Sequence, residues 1–367
     1  MKINGAAYRS VWVDSTDGRS VRIFDQTKLP FSIVTLKLET VDAVAHAIVT
    51  MQVRGAPLIG AVAAYGLALA LGVDASNESL ERNASMLAET RPTAINLRWA
   101  IERMLAKLRP VSPEDRLTAA YAEAGRICDE DVAQNESIGR HGLGLLEEIA
   151  KRKAPGEKIN ILTHCNAGWI ATVDWGTALA PIYMAHDAGY NVHVWVDETR
   201  PRNQGAALTA WELASHGVPH TVIVDNAGGH FMQHGQVDIV IVGTDRVTSR
   251  GDVANKIGTY LKALAAKDNN VPFWVALPST TIDWRVADGV RDIPIEERAA
   301  SEVTTVTGQT GDGRIESVRV TPSGVNAANP AFDVTPARLV TGLITERGLC
   351  AASADGLNSL FSEQERQ

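Results

Sequence analysis

The stretch Lys158-Ile-Asn-Ile-Leu-Thr-His-Cys-Asn-Ala-Gly168 decides the fold prediction. It begins as a short apolar run, typical of a buried parallel strand, and then changes abruptly to the polar sequence His164–Gly168. Open α/β sheets place their chemistry in such turns, outside the carboxyl ends of the strands. Backbone N–H groups and the positive end of a following helix would favour a thiolate at Cys165. The alternative is a small buried apolar side chain, which is commoner for an intracellular cysteine.

Strand and helix patterns alternate after this stretch. The predicted strands are Ile159–Thr163, Val192–Val196, Thr221–Val224, Ile239–Val242 and Phe273–Leu277. The predicted helices between them are Trp169–Ala188, Gln204–His216 and Ala254–Ala266, and a terminal helix is predicted from Val334 to about Glu346. This alternation predicts an α/β fold with a parallel, doubly wound sheet. Since no GxGxxG sequence follows a strand, we expect a Rossmann-like domain that does not bind NAD.

The amino-terminal part is predicted to be small and mainly helical, with a short β-hairpin. Two strand-like runs, Val11–Val13 and Val21–Phe24, flank the turn sequence Asp17-Gly18. Thr40 can cap the first helix, and a long helical region reaches about Arg152. The predicted units are a helical domain with a hairpin over residues 1–125, a linking helix over 126–155 and a Rossmann-like catalytic domain over 156–367.

Composition narrows the class of protein. The chain has 367 residues, 45% of them hydrophobic, and a net charge of −8, so no basic footprint for nucleic acid is visible. Cys128, Cys165 and Cys350 are too far apart for a disulfide framework, which suits a reducing compartment. Neither a signal peptide nor a membrane-spanning segment is recognisable. We therefore expect a cytoplasmic protein with no membrane partner.

Polar clusters follow three of the predicted strands and should meet at one edge of the sheet. These clusters are His164–Gly168, Asp197–Gly205 and Gly243–Val247. Asp245 is either an ordinary carboxylate paired with a neighbouring arginine or a buried, protonated general acid. The second alternative raises its pKa from about 3.9 to about 7, at a cost of roughly 4 kcal/mol, which only a functional site justifies.

Two further segments could bind an anion. Arg54 precedes Gly55, whose backbone can turn N–H groups toward a phosphate, although a tight helix start explains the same pattern. Asn255 and Lys256, at the start of a predicted helix, are either phosphate donors or surface groups. The histidine pairs 216/220 and 230/234 have metal-like spacing, but capping or core roles explain them better, so we expect no metal site.

Seven motifs occur in an order that resembles the methylthioribose-1-phosphate isomerase family of the methionine salvage pathway, over nearly the whole chain. They are RGAPLIG (54–60), RPTAINL (91–97), THCNAG (163–168), ETRPRNQGA (198–206), VGTDRV (242–247), GDVANKIGTY (251–260) and NPAFDVTP (329–336). The wider family also holds ribose-1,5-bisphosphate isomerases and non-catalytic regulatory subunits of translation initiation factor 2B.

The resemblance implies an aldose–ketose isomerase that converts 5-methylthioribose 1-phosphate to 5-methylthioribulose 1-phosphate, without a cofactor and usually as a homodimer. It implies that Cys165 and Asp245 are the catalytic pair. It also implies that the sugar phosphate is bound by Arg54, Gly55, Ala56, Arg91, Gln204, Asn255 and Lys256. Trp169 and Asp174-Trp175 depart from the common pattern, which either reshapes the pocket for the 5-substituent or serves packing. The alternatives are 5-deoxyribose 1-phosphate or ribose 1,5-bisphosphate as substrate, and a non-catalytic sensing subunit.

Overall fold

The computed structural model describes residues 1–3 and 6–362. The α-helices in this part of the chain are α1 (Val41–Val49), α2 (Ala56–Leu71), α3 (Asn77–Glu89), α4 (Ile95–Leu108), α5 (Pro113–Ala150), α6 (Ala180–Asp187), α7 (Ala210–His216), α8 (Ala227–Gln233), α9 (Thr259–Asp268), α10 (Gly289–Asp292), α11 (Ser301–Thr304) and α12 (Ala354–Leu360). None of the helices described has both the length and the apolar character needed to cross a bilayer.

The strands form one large sheet and several small ones. They are β1 (Lys2–Ile3), β2 (Ala6–Ala7), β3 (Val11–Val13), β4 (Val21–Phe24), β5 (Thr35–Leu38), β6 (Ile159–Thr163), β7 (Val192–Asp197), β8 (His220–Ile223), β9 (Ile239–Val242), β10 (Arg246–Thr248), β11 (Val253–Lys256), β12 (Phe273–Ala276), β13 (Ile282–Asp283), β14 (Thr305–Gln309), β15 (Ile315–Arg319), β16 (Phe332–Thr335), β17 (Gly342–Thr345) and β18 (Gly348–Cys350).

The large sheet has seven strands in the order β18-β17-β12-β9-β6-β7-β8. Neighbouring strands are parallel except for β17 and β18. Counted from β6, the parallel strands follow the order 3-2-1-4-5-6, in which the direction of winding reverses between β6 and β9. Ligands of such sheets bind at this reversal, outside the carboxyl ends of the strands. The predicted α/β fold with a parallel sheet is confirmed.

Both faces of this sheet are buried. Ile161 packs in an apolar cluster with residues of α5, α6 and α7, whereas the next residue, Leu162, packs with α8, α9 and α12 on the opposite face. Burial on both faces is what a parallel sheet requires. The sheet is therefore a rigid frame for the loops at its edge.

The amino-terminal part has its own apolar core. The predicted hairpin of β3 and β4 is confirmed, and β5 adds a third strand that was not predicted. The Thr40 hydroxyl accepts a hydrogen bond from the Ala43 N–H, as predicted for a cap. Helix α2 is buried along almost its whole length, between α4 and α5. Helix α5 continues through residues 125 and 126, and the predicted domain boundaries stay a prediction.

The predicted helix Trp169–Ala188 is wrong in its first half. A 3-10 turn, Trp169–Ala171, is followed by a loop, and α6 begins only at Ala180. Positive φ angles at Trp175 (66°) and Gly176 (80°) break the helical path, and Asp174 binds the amino-terminal ammonium at 2.6 Å. The positive end of the helix predicted to begin at Trp169 therefore does not lie next to Cys165.

Two other predicted helices contain strands instead. Residues Val253–Lys256 form β11, which is hydrogen-bonded between β10 and β16 in a separate four-stranded sheet. Helix α9 starts only after Gly258, whose φ is 103°. The predicted terminal helix contains β17, which pairs with β12 in the core of the large sheet. In both places strand pairing with distant segments overrides the local helical pattern.

Candidate active site

One cavity is lined by all nine residues selected from the sequence. Cys165 follows β6, Gln204 follows β7, Asp245 follows β9, Asn255 and Lys256 belong to β11, Arg91 precedes α4, and Arg54, Gly55 and Ala56 form the start of α2. The structure thus brings together the strand-end clusters that were predicted to converge and the residues 54–56 and 91 that the family resemblance implied. The role of each residue in the reaction stays a prediction.

Cys165 is held in a strained backbone conformation. Its φ is 65°, and so is the φ of Thr199, a β-branched residue for which this region is unusual. The Cys165 N–H donates to Thr199 Oγ1 at 2.8 Å, and its carbonyl oxygen accepts from Thr209 Oγ1 at 2.7 Å. Such conformations cost about 1–3 kcal/mol each and persist where surrounding contacts enforce them. The strain lies at the residue predicted to do chemistry.

Burial raises the pKa of the Cys165 thiol, and the nearby Arg54 and Lys256 act in the opposite direction. The side chain is only 9% exposed. The predicted preference for a thiolate is therefore wrong, because desolvation dominates. In addition, no α-helix begins within the described residues 166–179, where one was predicted. The direction of this shift favours the thiol form of Cys165.

Asp245 also lies in a desolvated position. Burial raises the pKa of its carboxyl group, against the effects of Lys256, Arg91 and Arg54. The neighbouring Arg246 does not neutralise it, since Arg246 pairs with Asp283 at 3.5 Å and donates to the Thr93 carbonyl oxygen at 2.5 Å. Of the two readings of Asp245, the direction of the pKa shift favours the protonated acid.

Three cations surround this pair, and each is restrained differently. Lys256 is 7% exposed, its Nζ lies 4.6 Å from the centre of the Phe332 ring, and burial lowers its pKa. Arg91 faces Glu296 at 3.6 Å. Arg54 donates through both Nη atoms to Asn166. Together these groups make the cavity locally positive in a protein whose net charge is −8.

The start of α2 faces the cavity. Gly55 has a φ of 95°, and a Cβ there would lie 2.2 Å from the Ala171 carbonyl oxygen, so only glycine fits. No side chain caps this helix, which leaves the N–H groups of its first turn to a ligand. The predicted tight helix start and the predicted anion site are compatible in this geometry.

Gln204 carries a polar atom without a partner. Its side chain is 6% exposed, and Oε1 is buried with no hydrogen bond to any residue that the structure describes. Buried acceptors normally have a donor. A hydroxyl group of a sugar in the cavity would supply one. The cavity meets a wider one, of about 790 Å³, at Gln204, Arg54 and Met51.

His164, Asp197 and Asp225 are close enough together to hold a metal ion. However, the Lys262 ammonium lies 3.1 Å from Asp197 Oδ2 and also donates to the Asp225 carbonyl oxygen. His164 Nδ1 faces Asp197 Oδ2, and Nε2 faces the Ile257 carbonyl oxygen, both at 2.8 Å. Both ring nitrogens are therefore already engaged by oxygen atoms of the protein. A metal ion would have to displace the Lys262 ammonium. The cluster instead has a structural role, because His164, next to Cys165, is bonded to Ile257, next to Lys256.

Sequence reasoning missed several lining residues. They are Thr177, Pro278, Thr281 and Phe332 among others. Two of them follow β12, a predicted strand whose carboxyl end belongs to the same edge of the sheet, so the signal was present. Trp169, by contrast, is 1% exposed and packs against the rings of Phe24 and Trp211 rather than on the cavity.

Comparison with known proteins identifies the family. Residues 52–352 match the initiation factor 2 subunit family. The chain is 71% identical over 366 residues to methylthioribose-1-phosphate isomerase of Gluconobacter oxydans (strain 621H), covering 100% of both chains. The chain belongs to the initiation factor 2 subunit family, among its methylthioribose-1-phosphate isomerases. The resemblance seen in the motifs is confirmed.

Two solved structures of this family have the same fold. The 5-methylthioribose 1-phosphate isomerase of Pyrococcus horikoshii OT3 is 39% identical with a TM-score of 0.82, covering 97% of this chain and 96% of that one. The translation initiation factor eIF-2B subunit delta from A. fulgidus is also 39% identical, with a TM-score of 0.79, covering 96% and 99%. These two structures alone therefore do not distinguish an isomerase from an initiation-factor subunit.

Proposed function

We propose that this protein is an aldose–ketose isomerase that converts 5-methylthioribose 1-phosphate to 5-methylthioribulose 1-phosphate in methionine salvage. The observation that carries the proposal is the cavity itself. A thiol and a carboxylic acid, 80 positions apart in the chain (165 to 245), line it together with three cations. The Gluconobacter oxydans relative, 71% identical, bears the name of this activity.

The phosphate binds at the start of α2. There the unpaired N–H groups of the first helical turn, the Arg54 guanidinium and the Lys256 ammonium offer donors to a dianion. Asn255 and Arg91 line the same cavity, and Gln204 receives a sugar hydroxyl at its unpartnered Oε1. With the phosphate bound there, the proposal puts C1 and C2 of the sugar between Cys165 and Asp245.

Ring opening is the difficult step, since a phosphate on C1 blocks the simple hemiacetal opening of ordinary aldoses. Asp245, protonated, donates its proton to the ring oxygen as the bond from C1 to that oxygen breaks. The positive charge that develops at C1 is shared with the phosphate ester oxygen. General acid help of this kind is worth about 10²–10⁴-fold.

Hydrogen then moves from C2 to C1. The raised pKa of Cys165 favours a direct shift, in which the C2–H bonding pair passes to C1 and the C2 hydroxyl returns a proton to Asp245. In this scheme the neutral thiol shields the positively charged sugar carbon from water. If instead Cys165 acted as a thiolate base, the hydrogen would exchange with solvent. Reaction in deuterated water decides, because solvent deuterium in the product shows exchange through a base.

A small apolar cavity favours the methylthio substituent over a second phosphate. It has a volume of about 40 Å³, several times the ~10–15 Å³ that one water needs. It shares Arg91, Asp245 and Phe332 with the main cavity. Its other walls are mainly apolar and include Ile59, Ala94, Ile293, Pro294 and Ile295. Two arginines also line this cavity, but Arg91 faces Glu296 and Arg246 pairs with Asp283. The apolar wall therefore suits a thioether better than a second phosphate.

The rival of another class is a non-catalytic regulatory subunit. The placement of Cys165 and Asp245 on one cavity supports the enzyme, because a scaffold has no need of a desolvated thiol and acid. The cytoplasmic location and the homodimer predicted from the sequence also belong to the proposal. Light scattering of the purified protein tests the dimer.

The deciding experiment is turnover of 5-methylthioribose 1-phosphate by the wild type and by Cys165→Ser, beside 5-deoxyribose 1-phosphate and ribose 1,5-bisphosphate. We expect the wild type to prefer the methylthio sugar and Cys165→Ser to lose practical activity. Cys350→Ser is a matched control, since Cys350 is also 9% exposed but lies off the cavity. A wild type that turns over none of the three sugars would reject the proposal in favour of the scaffold.

A further inference from the structure

Glu212, on α7, is a buried acid that the reaction above does not use. Its side chain is 1% exposed. Glu212 Oε1 accepts from Asn166 Nδ2 at 2.7 Å, and Oε2 accepts from the Tyr183 hydroxyl at 2.9 Å. A Cβ at Gly168 would lie 1.9 Å from Oε2, so the loop after β6 wraps closely around the carboxyl group. Burying such a group is costly and calls for a reason.

Asn166 connects Glu212 to the cavity. Its Oδ1 accepts from Arg54 Nη1 at 2.7 Å, and its backbone carbonyl oxygen accepts from Arg54 Nη2 at 2.9 Å. The amide therefore bridges an anion and a cation, with its nitrogen toward Glu212 and its oxygen toward Arg54. Asn166 is itself 4% exposed, so solvent does not compete for these bonds.

We propose that Glu212 is a positioning residue that fixes the orientation of the Asn166 amide and thereby aims the Arg54 guanidinium at the substrate phosphate. This inference rests on the proposed function, since it assigns the phosphate to Arg54. Glu212 lines none of the cavities around the site and does not touch the substrate.

The orientation of the Asn166 amide depends on the chemistry of the acceptor at position 212. An ionised carboxylate only accepts hydrogen bonds, so the Asn166 NH₂ group must face it and the amide oxygen is left for Arg54. A glutamine at position 212 can donate as well as accept. It would allow the Asn166 amide to flip, which would point an N–H group at the guanidinium.

The bridge also preserves the charge of Arg54. Among the described residues, Arg54 makes no ion pair with a carboxylate, and two of its nitrogens are held by one asparagine. A direct carboxylate partner would neutralise the guanidinium and occupy its fork of donors. With an amide between the charges, the anion orients Arg54 without capturing it.

The test is Glu212→Gln, which changes the chemistry of the acceptor but hardly its volume. We expect the KM for 5-methylthioribose 1-phosphate and the Kd for inorganic phosphate to rise about tenfold, with kcat within twofold of the wild type. Burial raises the pKa of Glu212 to about 7. The assays are therefore run at pH 8, where the carboxyl group is mostly ionised. Unchanged KM and phosphate Kd, whatever the loss of Tm, would overturn the inference, and so would a loss confined to kcat.

Glu123→Gln is the matched control. Glu123 is 5% exposed and pairs with Arg103 and Arg126 on α4 and α5, away from the cavity. The substitution is the same and removes a buried carboxylate, so a fall in Tm with unchanged KM separates lost stability from lost positioning. A similar rise of KM in this control would count against a specific role for Glu212.

Asn166→Ser removes the bridge and provides a second route if Glu212→Gln does not fold. We expect a similar rise in KM and phosphate Kd, and no further rise when both substitutions are combined, because they break one chain of contacts. Additive effects would show that the two residues act separately. Inorganic phosphate binding also separates this inference from the proposed function, since it can be measured if the wild type turns over no sugar.

Discussion

The backbone N–H of Asp245 donates a hydrogen bond to the carbonyl oxygen of Ala254 at 3.0 Å. This bond extends the pairing of β10 with β11, in which Arg246 lies opposite Ala254. The predicted acid is therefore attached to the strand that carries Asn255 and Lys256. Backbone pairing, rather than flexible side chains, sets the distance between the acid and the cations around the phosphate.

Asp245→Asn should lower kcat/KM by about 10²–10⁴-fold, because an amide cannot protonate the ring oxygen. Wild-type kcat/KM should fall as pH rises through the pKa of Asp245, which burial raises, since the acid is active only when protonated. A pH–rate profile of both proteins checks this. Asp312→Asn, on an exposed turn, is the control. Full turnover by Asp245→Asn would exclude the acid role.

Gly55→Ala should abolish activity and destabilise the fold, since the added Cβ would lie 2.2 Å from the Ala171 carbonyl oxygen. Gly18→Ala is the control that separates this steric clash from the cost of a positive φ at an alanine. Gly18 also has a positive φ (63°), but nothing lies within 4 Å of its Cβ position. We expect Gly18→Ala to lose about 1 kcal/mol and keep its activity. Equal unfolding free energies for the two variants would contradict the close approach.

The contribution of Asp131 to the unfolding free energy should decrease as pH rises from about 4 to 7. Burial raises the pKa of Asp131 from 3.8 to about 7, so the folded state binds more protons than the unfolded state in this window. Stability is fully present below the unfolded pKa and is lost toward pH 7, at up to about 1.4 kcal/mol per pH unit. Glu212 contributes with the same sign.

Denaturant unfolding of Asp131→Asn at several pH values checks this expectation. The variant should lose less stability between pH 5 and 7 than the wild type does. Asp129→Asn, two residues away but exposed at the side chain (68%), should retain the wild-type slope. Equal slopes for the wild type and Asp131→Asn would show that burial does not raise the pKa of Asp131.

Ile295→Ala should raise the KM for 5-methylthioribose 1-phosphate about fivefold and the KM for 5-deoxyribose 1-phosphate less than twofold. Ile295 lines the apolar cavity and is 40% exposed, so its truncation removes contact with the thioether at little cost in folding. Val290→Ala, at an exposed position (66%) off that cavity, is the matched control. If both sugars weaken equally, the methylthio group binds elsewhere.

Local sequence patterns were sufficient to predict the strands at the centre of the large sheet and the polar residues at their ends. The apolar runs at Ile159–Thr163 and Ile239–Val242 predicted parallel strands, and the polar residues after them predicted where Cys165 and Asp245 would meet. The nine site residues that the family resemblance implied also line one cavity. Side-chain period and the common edge of parallel strands are properties of short segments, which is why they can be read without coordinates.

Tertiary pairing decided the rest. Lys256 lies in a strand because β10 and β16 bind both edges of β11, and β17 is a strand because β12 pairs with it. The protonation of Cys165 likewise follows from burial rather than from its neighbours in sequence. Hydrogen bonds to distant segments and the removal of water depend on the assembled fold, and a residue's local sequence does not contain them.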